Sequence, residues 1–224
     1  VDISMGLVDD EDAKQGDASV ACVVARGTGE QVAEWCSKTT DPLEMATVLY
    51  WLGMYYNTAQ LAVETNGGMG GATNAQLSKM GYTNPYIWRY RDELSPRYSK
   101  KTGWETNVRS KPWLVGFAVH ELLNDRVIVH SELLLKEMEN YVRRDVKDWN
   151  AVAGHNDDRV IAWMIAILVS DDENFARYYN LRRDMDSGKT QNLVKAPTPG
   201  DWESDRTFNK KLKGVGPSLT DPWD

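Results

Sequence analysis

Cysteine is scarce in this chain, with only Cys22 and Cys36 among 224 residues. Two thiols build no disulfide framework, and their spacing makes no zinc pattern. They flank the turn sequence "RGTGEQ" and are expected to be reduced and half-buried, as in a cytosolic protein. Long apolar runs are also missing. No stretch approaches the ~18 residues of a membrane span, and the mean hydropathy of -0.53 fits a soluble protein with no membrane partner. No signal-peptide pattern is present. Nor is there an ATP-binding loop, because "GGMGGA" is not followed by Gly-Lys-Ser/Thr and reads as a flexible connection. Positive charge is in deficit, with 26 Lys and Arg against 33 Asp and Glu and a net charge of -7. That balance argues against a general polyanion binder, leaves room for a local basic patch, and suits a carboxylate-lined cation site.

What is present is enough for a substantial core: 42% hydrophobic residues in a length that suits one large domain or a domain with an extension. The opening "VDISMG" reads as the tail of a strand that begins earlier, in a longer parent protein. "ASVACVVAR" and "EQVAEWCSK" around "GTG" read as a hairpin. Asp41-Pro42 opens a helix, "AQLAVE" is a short strand ending at Glu64, and a second helix follows the glycines to about Met80. "PYIWRY" and "RDELSPRYSKKTGW" form a hairpin arm. A helix over 112–124, a strand at "VIVH", a helix "SELLLKEMENYV" capped by Ser131, an extended "WNAVA" and a helix over 157–170 complete the domain. The expectation is an α/β fold, a mixed sheet flanked by helices, over residues 1–187, with a Pro-, Gly- and charge-rich tail over 188–224.

Acidic residues fall where buried elements begin or end. Asp2 lies in the first strand, Glu64 ends a strand, and Asp157 and Asp158 precede "RVIAWMIAIL". If the first and fourth strands are neighbours, Asp2 and Glu64 stand side by side, and a helix across the sheet brings Asp158 to them. Crowded carboxylates repel and lose solvation, so some take up protons unless a cation intervenes. Hard oxygen donors with open positions suit Mg2+ or Mn2+, and two such ions ~3.5–4 Å apart can activate water against a phosphodiester. An Asp at a helix start is as readily a plain cap, and the spacing alone leaves both readings open. Asp17, before a strand, and His155 are candidates for an outer position at the same cluster, whereas His120 and His130 read as structural. The remaining acidic run, "DDEDAKQGD", lacks calcium-loop spacing and reads as a solvated turn.

The basic residues crowd one arm. Arg89, Arg91, Arg97, Lys100, Lys101, Arg109 and Lys111 are interleaved with Trp88, Tyr90, Tyr98 and Trp104. Such side chains bind backbone phosphates without reading sequence.

In order, "VDISMG", "GDASVACVV", "YYNTAQLAVETNGGMGGA", "GWETNVRSKPWLV" and "AGHNDDRVIAWMIA" resemble the nuclease domain of the large terminase subunit, the DNA-packaging motor of tailed bacteriophages. The match runs from residue 2 to about residue 170. The resemblance implies a ribonuclease-H-like fold with an inserted basic hairpin arm. It implies an endonuclease that cuts concatemeric viral double-stranded DNA with two Mg2+ or Mn2+ ions. Asp2, Glu64 and Asp158 match its metal-holding catalytic positions, Asp157 an accessory position, and the basic arm a hairpin near the DNA path. It further implies an ATPase domain in the same parent chain, the portal and small terminase subunit as partners, and work at the procapsid in the host cytoplasm. Two features depart from the pattern, the long acidic loop before Asp17 and the tail after residue 188. Two other functions fit the same residues: a ribonuclease-H-like recombinase or junction resolvase, and a non-catalytic docking module of the packaging machinery. Convergence of Asp2, Glu64 and Asp158 separates the enzymes from the docking module.

Overall fold

The Val- and Ala-rich runs around "RGTG" do pair. In the computed structural model, which describes residues 1–4, 17–91, 98–145 and 148–171, β1 (Ser19–Ala25) and β2 (Glu30–Ser37) form an antiparallel hairpin. All these residues belong to the unit Val1–Tyr179. The expected boundary at residue 187 and the tail over 188–224 lie outside the described residues, as do Arg97 and most of the acidic loop. The register sets Val20 opposite Cys36 and Cys22 opposite Glu34, which makes the two cysteines diagonal neighbours on one face. Both are free thiols, Cys22 buried and Cys36 half-buried. Burial pushes the Cys22 thiol up to about 12, so it is a packing residue and not a nucleophile.

Successive β1 side chains alternate between two cores. Val20 and Cys22 join a cluster with α3 (Lys111–Leu123) and α5 (Asp158–Ser170). Ala21 joins Met45, Ala46 and Leu49 of α1 (Pro42–Tyr55) and Leu77 of α2 (Met69–Lys79). Strand residues covered on both faces place β1 inside a helix–sheet–helix arrangement, and the fold is mixed α/β. Helix α5 is buried almost all round, from Val160 to Val169, which is why its sequence is apolar without a polar stripe.

Single bridges extend the hairpin into a broader sheet. Asp2 and Val20 exchange two backbone hydrogen bonds of 2.9 Å, an antiparallel pair. On its other side, the Val1 nitrogen donates to Ala62 O at 2.8 Å and the Glu64 N–H donates to Val1 O at 2.9 Å. Bonds that straddle Val63 in this way are a parallel ladder. Leu61 and Glu64 then bridge Pro85 and Trp104, both in parallel. The order across the molecule is therefore β2, β1, residues 1–2, residues 61–64, then Pro85 and Trp104. The expected strand "VIVH" amounts to one bridge, Ile128 to Glu30, at the opposite edge.

The helices begin where their caps say. Asp41 accepts from the Leu43 and Glu44 N–H groups at 2.7 and 3.0 Å, and Pro42 opens α1. Ser131 caps α4 (Glu132–Glu139) through the Leu134 N–H at 3.1 Å. That helix stops earlier than the sequence pattern suggests. Asn140 turns its amide back to Lys136 O at 2.7 Å, and Tyr141 enters a hairpin of β5 (Tyr141–Asp145) and β6 (Asp148–Ala151). Before them, β3 (Ile87–Arg91) and β4 (Tyr98–Thr102) pair antiparallel as the expected arm. Among the described residues, no helix is long and apolar enough to cross a membrane.

The glycine run after Glu64 is not the flexible connection its composition suggests. Asn66–Gly68 make a 3-10 turn, and α2 starts at Met69, with Gly70 and Gly71 inside it. The reason is close approach: a Cβ on Gly70 would stand 1.7 Å from Glu64 O, whereas one on Gly71 meets nothing within 4 Å. Gly70→Ala is thus expected to cost about 1–3 kcal/mol, the scale of an overpacked core. Gly71→Ala should instead gain roughly 0.5–1 kcal/mol of helix propensity. Urea unfolding of the two single variants checks the difference, and equal effects would refute the tight contact.

A candidate carboxylate centre

Three backbone segments far apart in sequence deliver the three carboxylates. Asp2 sits on the central segment between β1 and residues 61–64. Glu64 ends the neighbouring segment, and Asp158 opens α5, the helix packed on β1. Glu64 and Asp158 are buried, and Asp2 is half-buried.

Asp2 and Glu64 stand close enough for their carboxyls to hydrogen-bond. Burial, then the charges of Glu64 and Asp158, hold the Asp2 carboxyl well above the usual carboxylate range. Asp158 is also raised, first by burial. The Ala18 N–H at 2.9 Å and the Asn156 amide at 3.1 Å oppose that rise, and both donate to Oδ2. Asp17 and Glu137 push the carboxyl further up by charge. The second oxygen, Oδ1, takes no hydrogen bond among the described residues. Glu64 Oε1 accepts from the Asn66 amide at 3.2 Å, and the same amide also donates to Thr106 O. Among the described residues, none of the three carboxylates is ion-paired with a lysine or arginine.

The expected neighbours therefore assemble, but not as a finished cage. Among the described residues, no three His, Cys, Asp or Glu side chains already surround one point as metal ligands. The donor set nonetheless fits a hard cation. It is made of oxygens alone, it is paired with no lysine or arginine among the described residues, and it leaves Asp158 Oδ1 open.

Asp157 occupies the position before α5 with φ -129 and makes no capping hydrogen bond. Of the two readings the spacing leaves open, the plain cap is thus not what Asp157 performs. Asp17 is exposed and near Asp158, as expected, while His155 is exposed on the turn before α5. His130 and His120 are paired with Glu30 and Glu121 at 3.0 and 2.9 Å, which agrees with structural roles.

The basic arm divides. The register sets Arg89 opposite Lys100 and Arg91 opposite Tyr98. Lys100 and Arg109 are exposed. Lys101 pairs with Glu105 at 2.6 Å. Lys111 is turned inward, donating to Asn150 Oδ1 at 2.8 Å with its ammonium 5.9 Å from the Tyr141 ring centre. Lys111 thereby joins α3 to the β5–β6 hairpin.

Several polar residues of the centre escaped the sequence reading. Asn66 and Asn156 hold the carboxylates, and Arg159 joins Glu34 and Glu137 beneath them. The two asparagines sit two residues from their carboxylates and were detectable by that spacing. Glu34 lies 125 residues from Arg159, and no local pattern links them. Compared with known proteins, the chain matches no protein-family model, and curated proteins also give no match.

Proposed function

We propose that this chain is a divalent-metal-dependent DNA endonuclease of ribonuclease-H-like type, working as the nuclease part of a viral DNA-packaging terminase. The observation that carries this reading is the closeness of the Asp2 and Glu64 carboxyls, with Asp158 in electrostatic reach, the Val1 ammonium offsetting Asp2 only in part, and no lysine or arginine paired with them among the described residues. The strand order supports it too, because the aspartate-bearing segment is central, antiparallel to β1 and parallel to residues 61–64. Two Mg2+ or Mn2+ ions held by Asp2, Glu64 and Asp158, with Asp157 beside them, would neutralise phosphate charge and lower the pKa of water.

The chain's own residues supply the rest. Asn66 fixes the outer oxygen of Glu64, so that carboxylate keeps one orientation as charge changes around it. Ala18 and Asn156 hold Asp158 by one oxygen and leave the other for a ligand. Exposed Lys100 and Arg109 offer cations to a duplex backbone, with affinity that falls as salt rises. The resemblance in sequence extends the proposal to double-stranded DNA concatemers as substrate, an ATPase domain in the parent chain, and the portal and small subunit at the procapsid in the host cytoplasm.

The test is nicking of supercoiled plasmid with Mn2+, Mg2+ or EDTA. Open circles with either metal and none with EDTA are expected. No cutting with either metal would favour the docking module, and strong preference for a four-way junction over linear duplex would favour the resolvase.

A further inference from the structure

An α-helix begins with N–H groups that lack partners, and α5 has an unusual solution to this. Asp157 does not cap it, and Asp158 is turned toward Ala18 and Asn156. The cap comes from another helix. Glu137, near the end of α4, accepts the Arg159 backbone N–H on Oε2 at 2.8 Å. Its Oε1 accepts the guanidinium Nη1 of the same residue at 2.6 Å. Arg159 Nε then donates to Glu34 Oε1 on β2 at 2.8 Å. Glu34 Oε2 accepts from Gln31 at 3.3 Å, and Gln31 Oε1 accepts the His130 and Ser131 N–H groups at 3.0 Å each. Because Ser131 caps α4, the hydrogen bonds run in a loop through β2, both ends of α4 and the first turn of α5. Their side chains are well shielded, with exposures of 18% for Arg159, 15% for Glu34 and 12% for Glu137.

We propose that Glu137 is a positioning residue for Asp158: by gripping Arg159 at backbone and side chain, it locks the first turn of α5 where Asp158 Oδ1 stays open to a divalent cation. This rests on the carboxylate centre proposed above and adds how that centre is held. Asp158 and Arg159 are adjacent, so rotation of the first turn moves both. Two carboxylates share one guanidinium, and the charge of Glu137 is felt at Asp158. A charge-only role and a positioning role therefore predict different things for an uncharged residue that still accepts a hydrogen bond.

The experiment measures Mn2+ binding to the full chain by the electron paramagnetic resonance signal of the free ion, beside plasmid nicking and thermal unfolding in EDTA. Glu137→Ala is expected to weaken Mn2+ binding about 10-fold or more, the usual scale for removing support of a metal ligand. Glu137→Gln keeps an oxygen for the Arg159 N–H and should recover most of that loss. Glu121→Gln, at a buried carboxylate paired instead with His120 and Arg126, should lower stability and leave Mn2+ binding unchanged. Wild-type affinity in Glu137→Ala overturns the proposal, and so does a Glu137→Gln as weak as Glu137→Ala, which would assign the effect to charge. Should Glu137→Ala not fold, the Gln variant decides alone: near-wild-type affinity supports positioning, and alanine-like loss of binding or fold overturns it. A wild type that binds Mn2+ but cuts nothing removes the nuclease and leaves the Glu137 comparison valid. A wild type that binds no Mn2+ removes the centre and the role of Glu137 together.

Discussion

Asp2→Asn should slow metal-dependent cleavage by orders of magnitude and, in the same molecule, raise the melting temperature of the metal-free protein at pH 8. The two effects have one source. Asp2 is placed against Glu64 and within range of Asp158, and its carboxyl is raised by burial and then by those charges. A group whose folded pKa lies above its unfolded value stabilises the fold fully below the unfolded pKa and loses that contribution as pH rises through the folded pKa. In EDTA, wild-type stability should therefore fall as pH rises above the ordinary carboxylate range, opposite to the usual acid sensitivity of paired carboxylates. Asparagine keeps the shape, removes the charge and flattens that slope. The same change takes away an oxygen donor at the reacting centre, so nicking should drop by about 10²–10³-fold, the scale for losing one preorganised electrostatic group. Melting curves between pH 5 and 8 and nicking rates in Mn2+ check both halves. If Asp2→Asn melts below wild type with the same pH slope, Asp2 is not the seat of the repulsion.

Trp104→Ala should produce the largest loss of stability, about 3–5 kcal/mol by the precedent of large aromatic truncations in cores. A domain of this size has only about 5–15 kcal/mol to lose. Trp104 is 0% exposed, stacks on Trp88 with ring centres 4.6 Å apart, and donates from its indole to Thr106 at 3.1 Å. Its backbone joins residues 61–64 to the arm, donating to Val63 O at 2.8 Å and accepting from the Thr65 N–H at 2.7 Å. Main-chain bonds survive the substitution, so the loss measures side-chain packing. The midpoint in urea should fall with little change in slope. A loss below about 1 kcal/mol would contradict tight packing here.

What the sequence made legible had local causes. The β1–β2 hairpin, the Asp41 and Ser131 caps and the β3–β4 arm follow from turn glycines, capping side chains and alternation read within a few residues. The placing of Asp2 beside Glu64 followed from strand-end positions plus one assumption about neighbouring strands, which the backbone bonds of Val1 and Asp2 satisfy. What stayed hidden had distant partners. Gly70 looked like slack because nothing local shows that Glu64 O lies against it. The partner of Lys111 was not legible, because Asn150, 39 residues on, is invisible to periodicity. Of the two roles left open for the Asp157–Asp158 pair, capping could not be decided locally, because the residue that takes the Arg159 N–H, Glu137, stands on another helix.

The bond between the Ala18 N–H and Asp158 spans 140 residues of sequence, and the one between Val1 and Ala62 spans 61. Chains are made from the N-terminus, at about 5–20 residues per second. Asp2 and Glu64 leave the ribosome early, but their third partner follows only when α5 emerges, some seconds later. The carboxylate centre is thus closed last, and a nascent or truncated chain lacking α5 holds Asp2 and Glu64 without Asp158.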